Sequence, residues 1–198
     1  MQRYIIPKIS GEPDWDTVPG LPIDHHLWLP QSPIRAEARI CYDSEGIYVQ
    51  LKAWEENIRA EVTDPLGKPY EDSCLEFFFK PCRKDKRYIN IEVNPNGCCF
   101  IGICNPDTGI LRIVNYTIGI TPKIQHFDGG WQVSYQIPMT FIQLFFPDFQ
   151  PVSGETLSGN CYKCGDLTVH PHFIAAYPID LPKPNFHCIE FFGEMEFE

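Results

Sequence analysis

The sequence lacks several features that would assign it to a common class of protein. It contains no run of about 18 or more apolar residues, so no membrane-spanning helix is expected. Basic residues are scarce, with 16 Lys and Arg against 26 Asp and Glu, and the formal net charge is -10. Nucleic acid and anionic membrane surfaces are therefore poor partners. The one dense basic run, at residues 83–87, is typical of a solvated hairpin loop.

The sequence also shows neither the pattern of a signal peptide nor an even number of cysteines. Residues 1–7 lack the long apolar region of a signal peptide. The cysteines number 9, and an odd number argues against a disulfide framework. We therefore expect reduced thiols in a cytoplasmic protein, or a secreted protein if a leader has been removed.

Long helices are not predicted, because the chain is interrupted by 19 Pro and 14 Gly. Between these breaks, apolar and polar residues alternate over short stretches, as in strands. One short helix is predicted near residues 138–146, with Pro at its start, and the first 35 residues are expected to be irregular. The predicted strands are residues 36–42, 47–54, 73–80, 88–94, 98–103, 118–124 and 131–137, and about 156–163, 172–177 and 191–197.

This pattern predicts an all-β fold. Many short strands separated by turn residues are typical of sandwiches and barrels. Several strands are apolar on one face and polar on the other, as in antiparallel sheets with one solvated face. We predict a single domain over residues 1–198, a two-sheet antiparallel β-sandwich of the jelly-roll or immunoglobulin-like kind.

A carboxylate stands in the middle of the predicted strand 73–80. Alternate apolar residues occupy one face of this strand, and Glu76 lies on the other. Glutamate is uncommon in strands and is rarely buried without a partner. Taken alone, the segment favours an edge strand whose polar face is in water. The alternative is that Glu76 points into a polar groove with Tyr70 at its lip.

The predicted strand 88–94 has the cleanest alternation in the chain. Its polar face carries Asn90, Glu92 and Asn94 in succession, although asparagine is a poor strand former. Amide and carboxyl groups with fixed geometry are suited to hydrogen bonds with hydroxyl groups. A neutral polyol ligand would also be compatible with any net charge of the chain.

Four stretches, taken in order, resemble a known family. The first, at residues 70–79, contains the pattern Tyr-x-Asp-Ser-x-x-Glu-Phe-Phe, and the others are residues 88–97, 159–173 and 186–193. Their order and spacing resemble those of proteins related to family 9 carbohydrate-binding modules, in the DOMON-like β-sandwich superfamily. The resemblance covers nearly the whole chain. It implies a bacterial β-sandwich of carbohydrate catabolism that binds an oligo- or polysaccharide of the plant-cell-wall type.

The resemblance also implies a set of ligand-binding residues. Members of the family clamp a sugar between two aromatic rings, usually Trp, and the matching positions here are Tyr70 and Tyr177. The family binds hydroxyl groups with a Glu, an Arg and an Asn, whereas this chain offers Glu76, Asn90 and Glu92 with no arginine among them. The smaller tyrosine rings leave affinity and ligand identity open.

An enzymatic function remains an alternative to binding. Glu76 and Glu92 lie on consecutive predicted strands and could form the carboxylate pair of a glycoside hydrolase. Small domains of this type bind more often than they cleave, so non-catalytic binding is favoured.

A metal site is a third possibility. Two cysteines and two histidines can bind zinc tetrahedrally, and the weak candidates are Cys161, Cys164, His170 and His172. Only one residue separates the two histidines, which departs from the usual zinc spacing, so structural cysteines are favoured. We expect no cofactor, although the resemblance allows a structural calcium ion.

Overall fold

The computed structural model describes residues 3–114 and 119–198. In these ranges the chain forms fourteen strands and one α-helix, which confirms the predicted all-β class. The strands are β1 (Tyr4–Ile6), β2 (Leu21–Ile23), β3 (His25–His26), β4 (Arg35–Tyr42), β5 (Gly46–Trp54), β6 (Cys74–Lys80), β7 (Tyr88–Val93), β8 (Cys99–Asn105), β9 (Gly109–Ile113), β10 (Lys123–Phe127), β11 (Gly130–Pro138), β12 (Thr156–Gly165), β13 (His172–Ala175) and β14 (Gly193–Phe197); the helix α1 is Met139–Phe145.

The strands form two sheets. The larger has nine strands in the order β1-β14-β12-β6-β7-β8-β9, with β13 pairing β12 and β3 pairing β13. The smaller has the order β10-β11-β5-β4-β2. All named pairs are antiparallel except β1 with β14. The two-sheet antiparallel sandwich is therefore confirmed.

The main core lies between the sheets. Strands β6 and β7 contribute their inward residues, among them Phe77, Phe79 and Ile91, each fully buried. The small sheet contributes Leu51 and Trp131, which are also fully buried. Because side chains alternate along a strand, every second residue of β6 and β7 must then face away from this core.

The outer face of the large sheet carries a second apolar cluster. Phe78, Tyr88 and Tyr162 project from it and are buried. Half-buried apolar residues from the chain between 181 and 192 pack against them, so this face is partly covered by irregular chain. The coverage is incomplete, and it leaves a pocket between the sheet and residues 184–187.

Several predicted elements need correction. Strand β6 is not an edge strand, because β12 pairs along one side of it and β7 along the other. The lead-in is not wholly irregular, since β1, β2 and β3 lie within it, and β9 is absent from the predicted strands. In place of the predicted strand 118–124, the structure has β10, and Ile118 lies outside the described residues.

The predicted helix near residues 138–146 is confirmed by α1, which begins directly after Pro138. No helix in the described part of the chain is long and apolar enough to cross a membrane.

Candidate functional site

The candidate site is the pocket on the outer face of the large sheet, here called the outer-face pocket. Its volume is about 250 Å³. Strands β6, β7 and β12 supply its floor, and the loop at residues 184–187 supplies part of its wall. It is lined by Tyr70, Glu76, Phe78, Glu92, Cys164, Asp166, Phe173, Pro184, Asn185, Phe186 and His187.

The larger depressions formed by the described residues are less suited to a neutral ligand. One, of about 710 Å³, is lined by Arg3, Arg83 and Arg87, but each guanidinium is already paired with an acid. A second, of about 430 Å³, lies beside Trp54, whose ring is approached by the guanidinium of Arg35 at 5.1 Å. A third, of about 530 Å³, is lined by the same two residues. The outer-face pocket instead combines aromatic residues with two buried acids, Glu76 and Glu92, that form no ion pair with the described residues.

Two carboxyl groups form the polar floor of the pocket. Glu76 of β6 and Glu92 of β7 are directly opposite each other in the antiparallel register, and both are buried. Burial raises the pKa of Glu76 to about 7. The pKa of Glu92 is raised by burial and by the adjacent Glu76 carboxylate. Because like charges on neighbouring strands repel, at least one of the two acids holds a proton near neutral pH.

The hydrogen bonds of the two acids are incomplete. The Cys164 thiol donates to Oε1 of Glu76 over 2.9 Å, and the Asn90 amide donates to Oε1 of Glu92 over 2.7 Å. Oε2 of Glu92 is buried without a hydrogen-bond partner among the described residues. An unpartnered buried acceptor is costly, so this oxygen is poised to accept a hydrogen bond from a ligand.

An aromatic rim stands above the acids. Tyr70 is half-buried on the single turn Pro69–Glu71, and its backbone carbonyl accepts the Asp166 N–H over 3.1 Å. The turn is fixed further by Asp72, whose Oδ2 accepts backbone N–H groups of Glu61 and Val62 over 2.9 and 2.8 Å. These backbone contacts fix the turn that carries Tyr70, and the turn places the tyrosine ring at the pocket.

Three phenylalanines, Phe78, Phe173 and Phe186, form the apolar part of the pocket. Phe186 stacks on Tyr162 with a centroid distance of 4.0 Å, and Phe173 meets Phe186 edge-on at 6.1 Å. Trp28 packs behind both rings. The pocket thus offers aromatic surface beside hydrogen-bonding acids, which is the usual composition of a small-ligand site.

The family model described as Carbohydrate-binding family 9 matches residues 14–197. The chain belongs to carbohydrate-binding family 9. Among solved structures, a candidate carbohydrate-binding protein from Bacteroides uniformis is similar, with 26% identity and a TM-score of 0.86 over 100% of this chain and 99% of that chain.

Two further similar structures are of one family 9 module from Caldicellulosiruptor kristjanssonii, in complex with glucose and with cellotriose. Each has a TM-score of 0.67 and 14% identity over 100% of this chain, and they cover 96% and 94% of those chains. At that identity the likeness concerns the fold. No curated protein is significantly similar to the chain.

In this family 9 chain, the second tyrosine of the predicted clamp is not at the pocket. Tyr177 is 4% exposed and belongs to the main core, so the expectation that it lies at the surface is wrong. Its backbone N–H donates to the Asn160 side chain over 3.0 Å, and its ring packs so closely on Gly193 that a Cβ there would clash. Phe78, Phe173 and Phe186 are the phenylalanines that share the pocket with Tyr70.

Asn90 also differs from its predicted role. It lies on the outer face as expected but is fully buried and does not line the pocket. Its amide holds Glu92, and its Oδ1 accepts from the Cys104 thiol over 3.3 Å. Asn90 is therefore placed to orient Glu92 and not to touch a ligand.

The four candidate zinc ligands do not form one site. Cys161 faces the main core while Cys164 faces the outer-face pocket, because residues three apart on a strand point to opposite faces. His170 is exposed, whereas His172 is buried with its Nε2 2.7 Å from the Lys163 ammonium. The weak alternative of a zinc site made by these four residues is therefore not supported, and the structural role favoured for the cysteines stays a prediction.

Sequence reasoning missed the pocket residues that come from irregular chain. These are Asp166, which follows β12, and the loop residues Pro184, Asn185, Phe186 and His187. They lie within or beside the stretches 159–173 and 186–193 that resemble the family, and that resemblance was the only signal available for them.

Proposed function

We propose that this protein binds a saccharide without cleaving it, in the outer-face pocket. The observation that carries the proposal is the buried Oε2 of Glu92, which lacks a partner among the described residues and lines the same pocket as the Tyr70 ring. A sugar offers both of the groups that this arrangement needs. Its hydroxyl groups donate to carboxyl oxygens, and its C–H face packs on an aromatic ring.

The size and chemistry of the pocket indicate the ligand class. A volume of about 250 Å³ is at or below the usual lower range of ligand pockets, roughly 300 Å³, so it suits one or two sugar units of a longer chain. Because the Glu76–Glu92 pair retains a proton, it repels an anionic sugar less than two carboxylates would. The pair nevertheless supplies no positive charge that would attract an anionic sugar. The preferred ligand is therefore a neutral oligo- or polysaccharide, in keeping with the glucose and cellotriose complexes of the similar module.

The arrangement of the acids favours binding over hydrolysis. Glycoside hydrolases place two carboxyl groups on either side of the scissile bond, about 5–9.5 Å apart. Glu76 and Glu92 instead stand side by side on neighbouring strands in the floor of the pocket. A ligand would meet both acids on one side, where they serve as hydrogen-bonding partners.

The test is calorimetric titration with cello-, xylo- and manno-oligosaccharides, followed by the same titration of Tyr70→Ala and Glu92→Gln. Loss of the Tyr70 ring removes stacking and burial and should weaken binding by about 2 kcal/mol, more than tenfold. Glu92→Gln replaces one acceptor by a donor and should weaken binding by about 1–3 kcal/mol.

Tyr48→Ala is the matched control, because Tyr48 is also half-buried but lies on the small sheet, on β5. The saccharide affinity of the Tyr48→Ala variant should equal that of the unmodified protein. Failure of every oligosaccharide to bind would refute the proposal, as would the appearance of shortened products on chromatography after incubation.

A further inference from the structure

Two cysteines lie beside Glu76 beneath the outer-face pocket. Cys74 of β6 and Cys164 of β12 are direct partners in the antiparallel register. Glu76 is two residues after Cys74 and so projects from the same face of the sheet. All three side chains are buried, and Glu76 and Cys164 also line the pocket.

The ligand atoms of these residues are close enough to share one ion. The two sulfurs and one carboxylate oxygen all lie within 4.8 Å of one another, and Sγ of Cys164 is 2.9 Å from Oε1 of Glu76. Around a tetrahedral Zn²⁺, with bonds of about 2.3 Å to sulfur and about 2.1 Å to oxygen, such atoms stand roughly 3.6–3.8 Å apart. Small side-chain rotations suffice to reach that spacing.

We propose that Cys74, Cys164 and Glu76 form a Zn²⁺ site whose fourth position opens into the outer-face pocket. On binding, the ion displaces the two thiol protons and any proton on the Glu76 carboxyl, and these protons pass to solvent. Water or a ligand hydroxyl occupies the fourth position, as in zinc sites with three protein ligands.

The charges around the cluster are compatible with this site. Two thiolates and one carboxylate around Zn²⁺ leave one net negative charge. The buried Lys163 ammonium donates to the Cys164 carbonyl over 2.9 Å and is also paired with Glu55 at 3.2 Å, so it offsets that charge only in part. In the metal-free state, burial raises the pKa of Cys74 to about 12.

The donor set points to zinc over the alternatives. Thiolate ligands select soft or borderline ions, whereas Ca²⁺ and Mg²⁺ are bound by oxygen ligands alone. The proposed site shares only Cys164 with the zinc candidates from the sequence, which were Cys161, Cys164, His170 and His172. It also stands independently of the proposed saccharide, because the three protein ligands come from this chain and water can fill the fourth position.

The experiment uses the full chain carrying Cys82→Ser, since Cys82 is the exposed one of the nine cysteines and would bind metal adventitiously. Reduced protein is freed of metal with a chelator and titrated with Zn²⁺ alone, and bound metal is measured by elemental analysis. One Zn²⁺ per chain is expected. Titration with Co²⁺ should give the visible bands of tetrahedral cobalt and an ultraviolet charge-transfer band whose intensity corresponds to two thiolates.

The cobalt bands should be lost in Cys74→Ser and Cys164→Ser and weakened or shifted in Glu76→Gln. Cys104→Ser is the matched control, because Cys104 is buried on the same face of the sheet but lies outside the cluster. The hydroxyl that this substitution introduces can keep the hydrogen bond to Asn90. If a variant fails to fold, the cobalt spectrum of the protein that carries only Cys82→Ser still tests whether thiolates bind the metal. Absence of stoichiometric metal, a cobalt spectrum without the thiolate band, or an unchanged spectrum in folded Cys74→Ser would overturn the site.

Discussion

Replacing Lys163 by methionine should destabilise the fold by about 3–5 kcal/mol, because it strands a buried acid. Lys163 is fully buried on β12. Its ammonium donates to the Cys164 carbonyl over 2.9 Å and contacts Nε2 of His172 at 2.7 Å. It also forms an ion pair with Oε1 of Glu55 at 3.2 Å, just beyond β5 of the opposite sheet.

The magnitude follows from what remains after the substitution. Glu55 keeps two neutral donors, the Trp131 indole at 2.7 Å and the Ser73 hydroxyl at 3.0 Å, but loses its counter-ion while only 5% exposed. Breaking a buried pair by removing one partner typically costs about 3–5 kcal/mol. Methionine nearly preserves the volume, so little of that cost comes from a cavity.

The double variant Lys163→Met with Glu55→Gln separates charge from packing. Removing both charges leaves no lone ion, and the glutamine side chain introduced at position 55 can still accept from Trp131 and Ser73. Its cost should therefore be smaller than that of Lys163→Met alone, although the double variant carries one more substitution.

The assay is urea unfolding at neutral pH followed by tryptophan fluorescence. Lys84→Met serves as control, because Lys84 is exposed and its loss should change the free energy of unfolding by no more than about 0.5 kcal/mol. A cost below about 1 kcal/mol for Lys163→Met, or a double variant less stable than the single one, would refute the electrostatic argument.

Three further predictions concern His172, Glu76 and Tyr177. Burial and the Lys163 charge lower the folded-state pKa of His172 from 6.5 to about 3. The free energy of unfolding should therefore fall as the pH falls from about 6.5 towards 3, by up to about 1.4 kcal/mol per pH unit. Urea denaturation at several pH values should show that His172→Gln lacks this contribution to the pH dependence. In metal-free protein, burial raises the pKa of Glu76 to about 7 and hydroxyl donors favour a carboxylate, so saccharide affinity should rise between about pH 6 and pH 8. Titration calorimetry should show that slope reduced in Glu76→Gln. Tyr177→Phe should leave saccharide affinity unchanged by the same method, because the ring lies in the main core.

Much of the sandwich could be predicted from alternation within single strands. The long strands β4, β5, β7 and β11 each carry several repeats of an apolar and a polar residue, and their predicted bounds differ from the observed ones by about a residue. Strand pairing is a different matter. The central position of β6 depends on β12, which begins more than seventy residues later, and nothing in the segment 73–80 specifies that partner.

The same distinction explains the outcome at the site. Tyr70, Glu76 and Glu92 follow from one turn and two adjacent strands, and the structure brings them to a single pocket. Tyr177 would share a face with Phe173 if β13 continued, since the two are four residues apart. The strand ends at Ala175 and the chain bends, which breaks the parity and turns Tyr177 inward.

Strand β6 couples the stability of the fold to the geometry of the pocket. Its inward residues Phe77 and Phe79 are fully buried in the main core, while Glu76 forms part of the pocket floor on the other side. A slip of one residue in register would exchange the two sets, placing a carboxyl between the sheets and a phenyl ring in the pocket. The apolar core therefore fixes the register that presents the acid, and pairing on both sides of β6 holds the acid in place before any ligand arrives.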